Sequence, residues 1–194
     1  MVDKIRVALV GLGNCFSGLI QGIEYYRKNP SQEVIGIIHD KLRDYSIHDI
    51  EFVGGVDVGE NMIGKSVNEA IYESPNMVDW IDKNDMPKTD GLVYESPALD
   101  GVGIWVENKV KPIQSDKSEP ELAEAIKKII TDARVEIIVS YLPVGSEKAT
   151  QFWANICLET NTAFVNCMPA FIASDKEWAQ KFKDKNIPII GDDI

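Results

Sequence analysis

Cysteine is scarce in this chain: three residues in 194, Cys15, Cys157 and Cys167. Any disulfide scheme leaves one unpaired, and none stands in a CxxC pair, so the three are read as reduced thiols. Histidine is scarcer still. His39 and His48 share no ligand spacing with each other or with a cysteine, which excludes a zinc site of the usual kind. Basic residues are outnumbered, 20 Lys and Arg against 31 Asp and Glu, and the net charge of −11 argues against a nucleic-acid partner. No apolar run approaches the roughly 20 residues that span a bilayer. The opening MVDKIRVALVG breaks into a glycine turn where a signal peptide would carry a cleavage site, so a cytoplasmic address is expected, without a membrane partner. GxSxG, P-loop and HExxH motifs are missing as well.

What is present fits one globular domain. The chain is 44% hydrophobic and 26% charged. Val7 to Val10 form an apolar run that ends in Gly11-Leu12-Gly13-Asn14-Cys15-Phe16, and Leu19, Ile20, Ile23 and Tyr26 then recur at helical spacing until Lys28-Asn29-Pro30 stops them. An extended stretch is expected over 33–39, a strand over 51–57 ending on Asp57, and a short helix over 66–74. The region from about 75 to 117 is polar, proline-containing and read as irregular. Beyond it the pattern is regular. Ser118 and Glu121 form a capping box for a helix running to about 132. A strand over 135–141, a helix over 146–159, a strand over 163–166, a helix from about 175 and a strand over 187–190 follow. Short apolar strands alternating with amphipathic helices imply parallel βαβ units, hence a doubly wound α/β fold with a Rossmann-type parallel sheet.

The chemistry-bearing residues cluster at strand ends, where ligands sit in such sheets. Gly11 permits the tight turn, Gly13 lets a pyrophosphate approach the backbone, and the free N–H groups of the next helix face the anion. Where the dinucleotide fingerprint has its third glycine stands Phe16, a change in helix–strand packing more than in phosphate contact. Asp57 is a candidate acceptor for ribose hydroxyls, provided 29–50 is an insertion that stretches the usual spacing; otherwise it is a turn aspartate before Gly59. Ser140, Tyr141, Leu142 and Pro143 form a second strand-end loop, with Ser146 a lining residue or a plain N-cap. Asn166 opens a third, and Asp192 and Asp193 form a carboxylate pair at a fourth. Cys15, at a helix N-terminus, is read as a packing or backbone contact before a nucleophile.

The runs GLGNCFSGLIQGIEYY, IHDIEFVGGVDV, ESPALDGVG, VSYLPVGSEKA, AFVNCMPAFIASD and IPIIGDDI, in this order, resemble the bacterial and archaeal type of myo-inositol-1-phosphate synthase. In that family the cofactor loop reads GxGNxxS, matched by Gly11, Gly13, Asn14 and Ser17, and the residue before the serine is usually small, so Phe16 is a departure. The resemblance implies an NAD-dependent isomerisation of D-glucose 6-phosphate to 1D-myo-inositol 3-phosphate, the first step of inositol biosynthesis, which also feeds phospholipids. There the cofactor oxidises C5, an enolate closes the ring on C1, and the hydride returns. It implies that NAD contacts Gly11, Gly13, Asn14, Cys15 and Asp57, with Ser140 to Pro143 and Asn166 beside it and Asp192 and Asp193 bordering the reaction centre. Family members are homo-oligomers, tetramers when intact. Their GDDI-type run continues into a lysine-bearing loop and a second, catalytic and tetramerisation domain. Residues 1–194 are therefore expected to form the NAD-binding domain alone, a fragment or a naturally shortened relative, holding no catalytic residue and inactive by itself. The alternative is a non-catalytic NAD-binding module that regulates or pairs with a full-length synthase.

Overall fold

A computed structural model describes residues 3–33, 35–103 and 106–192. Six strands lie parallel in one sheet: β1 (Ile5–Val10), β4 (Ile50–Asp57), β5 (Val93–Glu95), β6 (Ile137–Ser140), β7 (Ala163–Asn166) and β8 (Ile189–Ile190). Their order is β5-β4-β1-β6-β7-β8, so the chain winds outward from β1 in one direction and then returns to continue in the other. The remaining strands, β2 (Lys41–Leu42) and β3 (Tyr45–Ser46), form a separate hairpin.

Period-two alternation gives each strand two apolar faces. Val10, Val56, Ile138 and Phe164 point to one side, where α3 (Glu119–Asp132), α4 (Glu147–Thr160) and α5 (Lys176–Asp184) cover them with Ile126, Trp153 and Phe182. Val7, Leu9 and Val93 point to the other, beneath α1 (Asn14–Lys28) and α2 (Val67–Ala70), with Phe16, Ile20 and Ile71. The α3 capping box is formed, Glu121 accepting from the Ser118 N–H at 2.8 Å. Among the described residues no helix is long and apolar enough to cross a membrane.

Four sequence expectations need correction. The stretch 33–39, expected to be extended, forms no strand among the described residues: Ile35 and Ile38 are exposed, Val34 lies outside them, and the pairing that follows is the β2–β3 hairpin. The helix expected over 66–74 is a single turn, Val67–Ala70, after which the chain goes on in tighter turns, Tyr72 N donating to Glu69 O and Glu73 N to Ala70 O. The last strand is reduced to Ile189–Ile190, because Pro188 has no N–H to donate to a ladder. The region 75–117, expected to be irregular, contains β5. This edge strand pairs with β4, setting Asp57 beside Glu95. Its three residues carry no period long enough to read.

Candidate functional site: a crevice at the switch point of the sheet

Adjacent loops diverge where the winding reverses, between β1 and β6, and open a crevice at the carboxyl ends of the strands. Its volume is about 350 Å³, within the range of small-molecule sites. Eight of the residues singled out in the sequence line it: Gly11, Gly13, Asn14, Cys15, Asp57, Tyr141, Leu142 and Pro143.

The two glycines of the turn do different things. Gly11 has φ +81°, donates to Val56 O at 3.0 Å, and a Cβ there would stand 2.7 Å from Tyr141 O. The fold requires it. Gly13 has φ −78°, and a Cβ there would meet no atom within 4 Å. Nothing in the fold excludes a side chain at Gly13, and the space it leaves lies at the start of α1. No side chain caps that helix end, so its first N–H groups are available to an anion.

Phe16 turns away from this opening. Its side chain is fully buried under α1 and stands edge-on to Tyr141. Asn14 Oδ1 accepts from Met77 N at 2.8 Å, and Asn76 Nδ2 donates to Leu12 O at 2.7 Å. The loop around 75–77 thus clips the glycine turn in place. Asn76 was not a sequence candidate, and its only signal is a Ser-Pro-Asn turn after a capped helix.

Asp57 ends β4 inside the crevice. Its Oδ2 accepts from Leu12 N at 2.7 Å, and its Oδ1 accepts from Val58 N and Gly59 N, both at 2.8 Å. Burial nevertheless pushes its carboxyl above the ordinary value, against the pull of the Gly59, Leu12 and Val58 N–H groups. A carboxylate offers about four acceptor positions, so Oδ2 keeps one open. Tyr141 is pushed up to about 12 by burial first and then by its contact with the Cys167 thiol. Cys15 is exposed on the crevice wall, whereas burial pushes the Cys157 thiol up and leaves it a core residue.

The other candidates sit behind the crevice. Ser140 is fully buried and its Oγ has no hydrogen-bond partner among the described residues. Asn166 Nδ2 donates to Ala170 O and Asp192 Oδ1, each at 2.8 Å, and to Met168 O at 3.2 Å. Asp192 in turn accepts from Ile172 N, Ala173 N, Ser174 N and Ser174 Oγ, tying the loop after β7 to the chain after β8. Asp193 lies outside the described residues. No Lys, Arg or His is among the described residues lining the crevice. Nor do three His, Cys, Asp or Glu side chains come together among the described residues to hold a metal ion.

Strand order, glycine turn and crevice together define a Rossmann-like α/β domain. No protein-family model matches the chain. It is similar to inositol-3-phosphate synthase of Mycolicibacterium smegmatis, 42% identical over 192 residues, which is 98% of this chain and 51% of that protein. It is also similar to inositol-3-phosphate synthase of Corynebacterium glutamicum, 45% identical over 193 residues, 99% of this chain and 51% of that one. Among solved structures, that of Ari2 superposes with a TM-score of 0.82 at 27% identity, covering 99% of this chain and 55% of its own. A myo-inositol-1-phosphate synthase-related protein from Thermotoga maritima shares the fold with a TM-score of 0.77 at 24% identity, over 98% of this chain and 55% of that one. Over nearly its whole length the chain is thus similar to about half of two inositol-3-phosphate synthases. It spans about half the length of the curated relatives it matches.

Proposed function

We propose that this chain is the NAD-binding part of an inositol-3-phosphate synthase, which converts D-glucose 6-phosphate to 1D-myo-inositol 3-phosphate. The observation that carries the cofactor reading is Gly13: its backbone suits any residue, no neighbour fills the space a side chain would take, and that space faces an uncapped helix N-terminus. The ligand, and not the fold, is what requires glycine there. The residues fit a dinucleotide. The N–H groups of Asn14 and Cys15 would hold the pyrophosphate, the remaining Oδ2 position of Asp57 a ribose hydroxyl, and Tyr141, Leu142 and Pro143 the wall beyond. Asn166 and Asp192 act from behind, tying the loop after β7 to the chain after β8, and Ser140 packs beneath as a buried residue. When bound, the nicotinamide supplies reversible hydride transfer.

The same reading has the protein act in the cytoplasm as a homo-oligomer. Catalysis needs more than the crevice wall offers. An enolate and a substrate phosphate both require preorganised cations, and the described lining residues include none. Residues 1–194 are therefore expected to bind NAD but to form no inositol phosphate when incubated with NAD and glucose 6-phosphate, as followed by periodate-released phosphate. Turnover comparable to that of a family member of full length would locate the catalytic cations within these residues and overturn this division of labour.

A further inference from the structure

Asn76 and Asp57 meet on the backbone of one residue. Asp57 Oδ2 accepts from Leu12 N at 2.7 Å. Asn76 Nδ2 donates to Leu12 O, also at 2.7 Å, and to Ile71 O at 3.1 Å. Both partners of the Asn76 amide are carbonyls, so only its nitrogen can face them and the orientation of the amide is fixed. Both N–H groups are thereby taken. The oxygen is not: Asn76 Oδ1 accepts from none of the described residues, and unlike Ser140 Oγ it is not shut into the core. Asn76 lines the crevice, so this oxygen is a rigidly held acceptor with room for a ligand.

The surfaces near it are apolar. Asn61 Nδ2 donates to Ser74 O at 2.8 Å, joining the segments that carry Met62 and Pro75 to the crevice wall. Val110 packs on Gly59, its Cγ1 3.6 Å from where a Cβ would stand. Ile113 N donates to Val58 O at 2.8 Å, and Gly59 bridges to Pro112, so the strap holding Val106 and Val110 is fastened to the chain just after Asp57. Beyond the Asp57 carboxylate the crevice is thus lined by Val58, Met62, Pro75, Val106 and Val110, with Asn76 among them. Apolar walls with one fixed acceptor suit a flat ring that carries a single well-placed donor.

We infer that Asn76 selects the nucleobase: its Oδ1 accepts from the 6-amino group of an adenine held between the apolar residues, and rejects a base that presents a carbonyl at that position. With hypoxanthine or guanine two acceptors would face each other and the hydrogen bond would be lost. The inference rests on the dinucleotide reading above and adds to it a specificity for the base.

The test is calorimetric titration of the wild type with NAD and with nicotinamide hypoxanthine dinucleotide, in which a carbonyl replaces the 6-amino group. NAD should bind about tenfold or more tightly, the scale of a lost buried hydrogen bond. In Asn76→Ala the ratio of the two affinities should fall to about one. Asn76 also clips the glycine turn, but a purely structural role would weaken both ligands alike and leave the ratio unchanged. Asn76→Gln, which keeps an amide for the two carbonyls and displaces its oxygen, should narrow the ratio too and serves if the alanine variant folds poorly. Equal affinity of the wild type for both dinucleotides, or a preference that survives in the variants, would overturn the inference and leave the dinucleotide reading standing. Binding of neither would overturn both.

Discussion

The Phe16 ring meets Tyr141 edge-on, with centroids 4.7 Å apart and planes at 89°. One residue opens α1, the other leaves β6, and their contact spans the point where the sheet reverses. The aromatic side chain that breaks the glycine fingerprint is therefore a core residue joining the two halves of the fold, and it takes nothing from the phosphate side of the turn.

It follows that Phe16→Ala should destabilise the protein by about 3–5 kcal/mol, as for other fully buried phenylalanines, measured by urea unfolding. It should bring no gain in nucleotide affinity. Tighter NAD binding by a stably folded Phe16→Ala would mean that the ring obstructs the site after all.

Ser140 and Asn166 were read alike from the sequence, as polar residues at strand ends, yet they should respond oppositely to removal. The Ser140 hydroxyl is buried without a partner among the described residues. Ser140→Ala should change stability by less than about 1 kcal/mol or raise it, because a desolvated, unsatisfied group is removed. Asn166→Ala removes an amide whose two N–H groups are shared among Ala170 O, Asp192 Oδ1 and Met168 O and whose oxygen accepts from Met168 N, and should cost about 3 kcal/mol. Equal losses in thermal unfolding would show that Ser140 has a partner.

Asp57 and Asp192 should shape the acid limb of stability in opposite directions. For Asp192 burial is the largest single influence and pushes upward, but the Ala173 N–H, the Asn166 amide and Ser174 together hold its carboxyl below 3.8. A lowered native value stabilises the fold fully above pH 3.8, and this is lost as pH falls through the native value. Wild type and Asp192→Asn should therefore converge on acidification below 3.8. The raised Asp57 value has the other sign: its contribution is present below 3.8 and lost as pH rises through the native value. Wild type should lose ground to Asp57→Asn over that interval. Unfolding midpoints across pH 2–7 would show it, and parallel trends for the two variants would contradict it.

The parts of this fold legible in the sequence were those with a repeating local signal. The helical period of α1, the Ser118–Glu121 box of α3 and the apolar run of β7 each carry their own evidence, and all three stand where they were expected. What escaped acts only through distant partners. β5 is three residues that become a strand because β4 lies beside them. Asn76 and Asp100 are ordinary loop residues until the fold brings Leu12 O to one and the α4 amides to the other. Asp57 is legible as a strand-end acid, but its grip on Leu12 N, 45 residues away, belongs to tertiary structure. The twelve candidates thus divide into a lining set, a supporting set behind it, and Asp193 outside the described residues.

The central claim is that the space at Gly13 is kept for the cofactor, and Gly13→Val tests it most directly. Its φ of −78° and empty surroundings allow the side chain, so stability should stay within about 1 kcal/mol of wild type, the range of helix N-cap effects. By contrast Gly11→Ala, at φ +81° with Tyr141 O in the way, should unfold far more easily. In calorimetric titration the wild type should bind NAD saturably and more tightly than NADP, since Asp57 disfavours a 2′-phosphate. Gly13→Val should lose that binding while remaining folded. A folded Gly13→Val that binds NAD as the wild type does, or a wild type that takes NADP as well as NAD, would contradict the account.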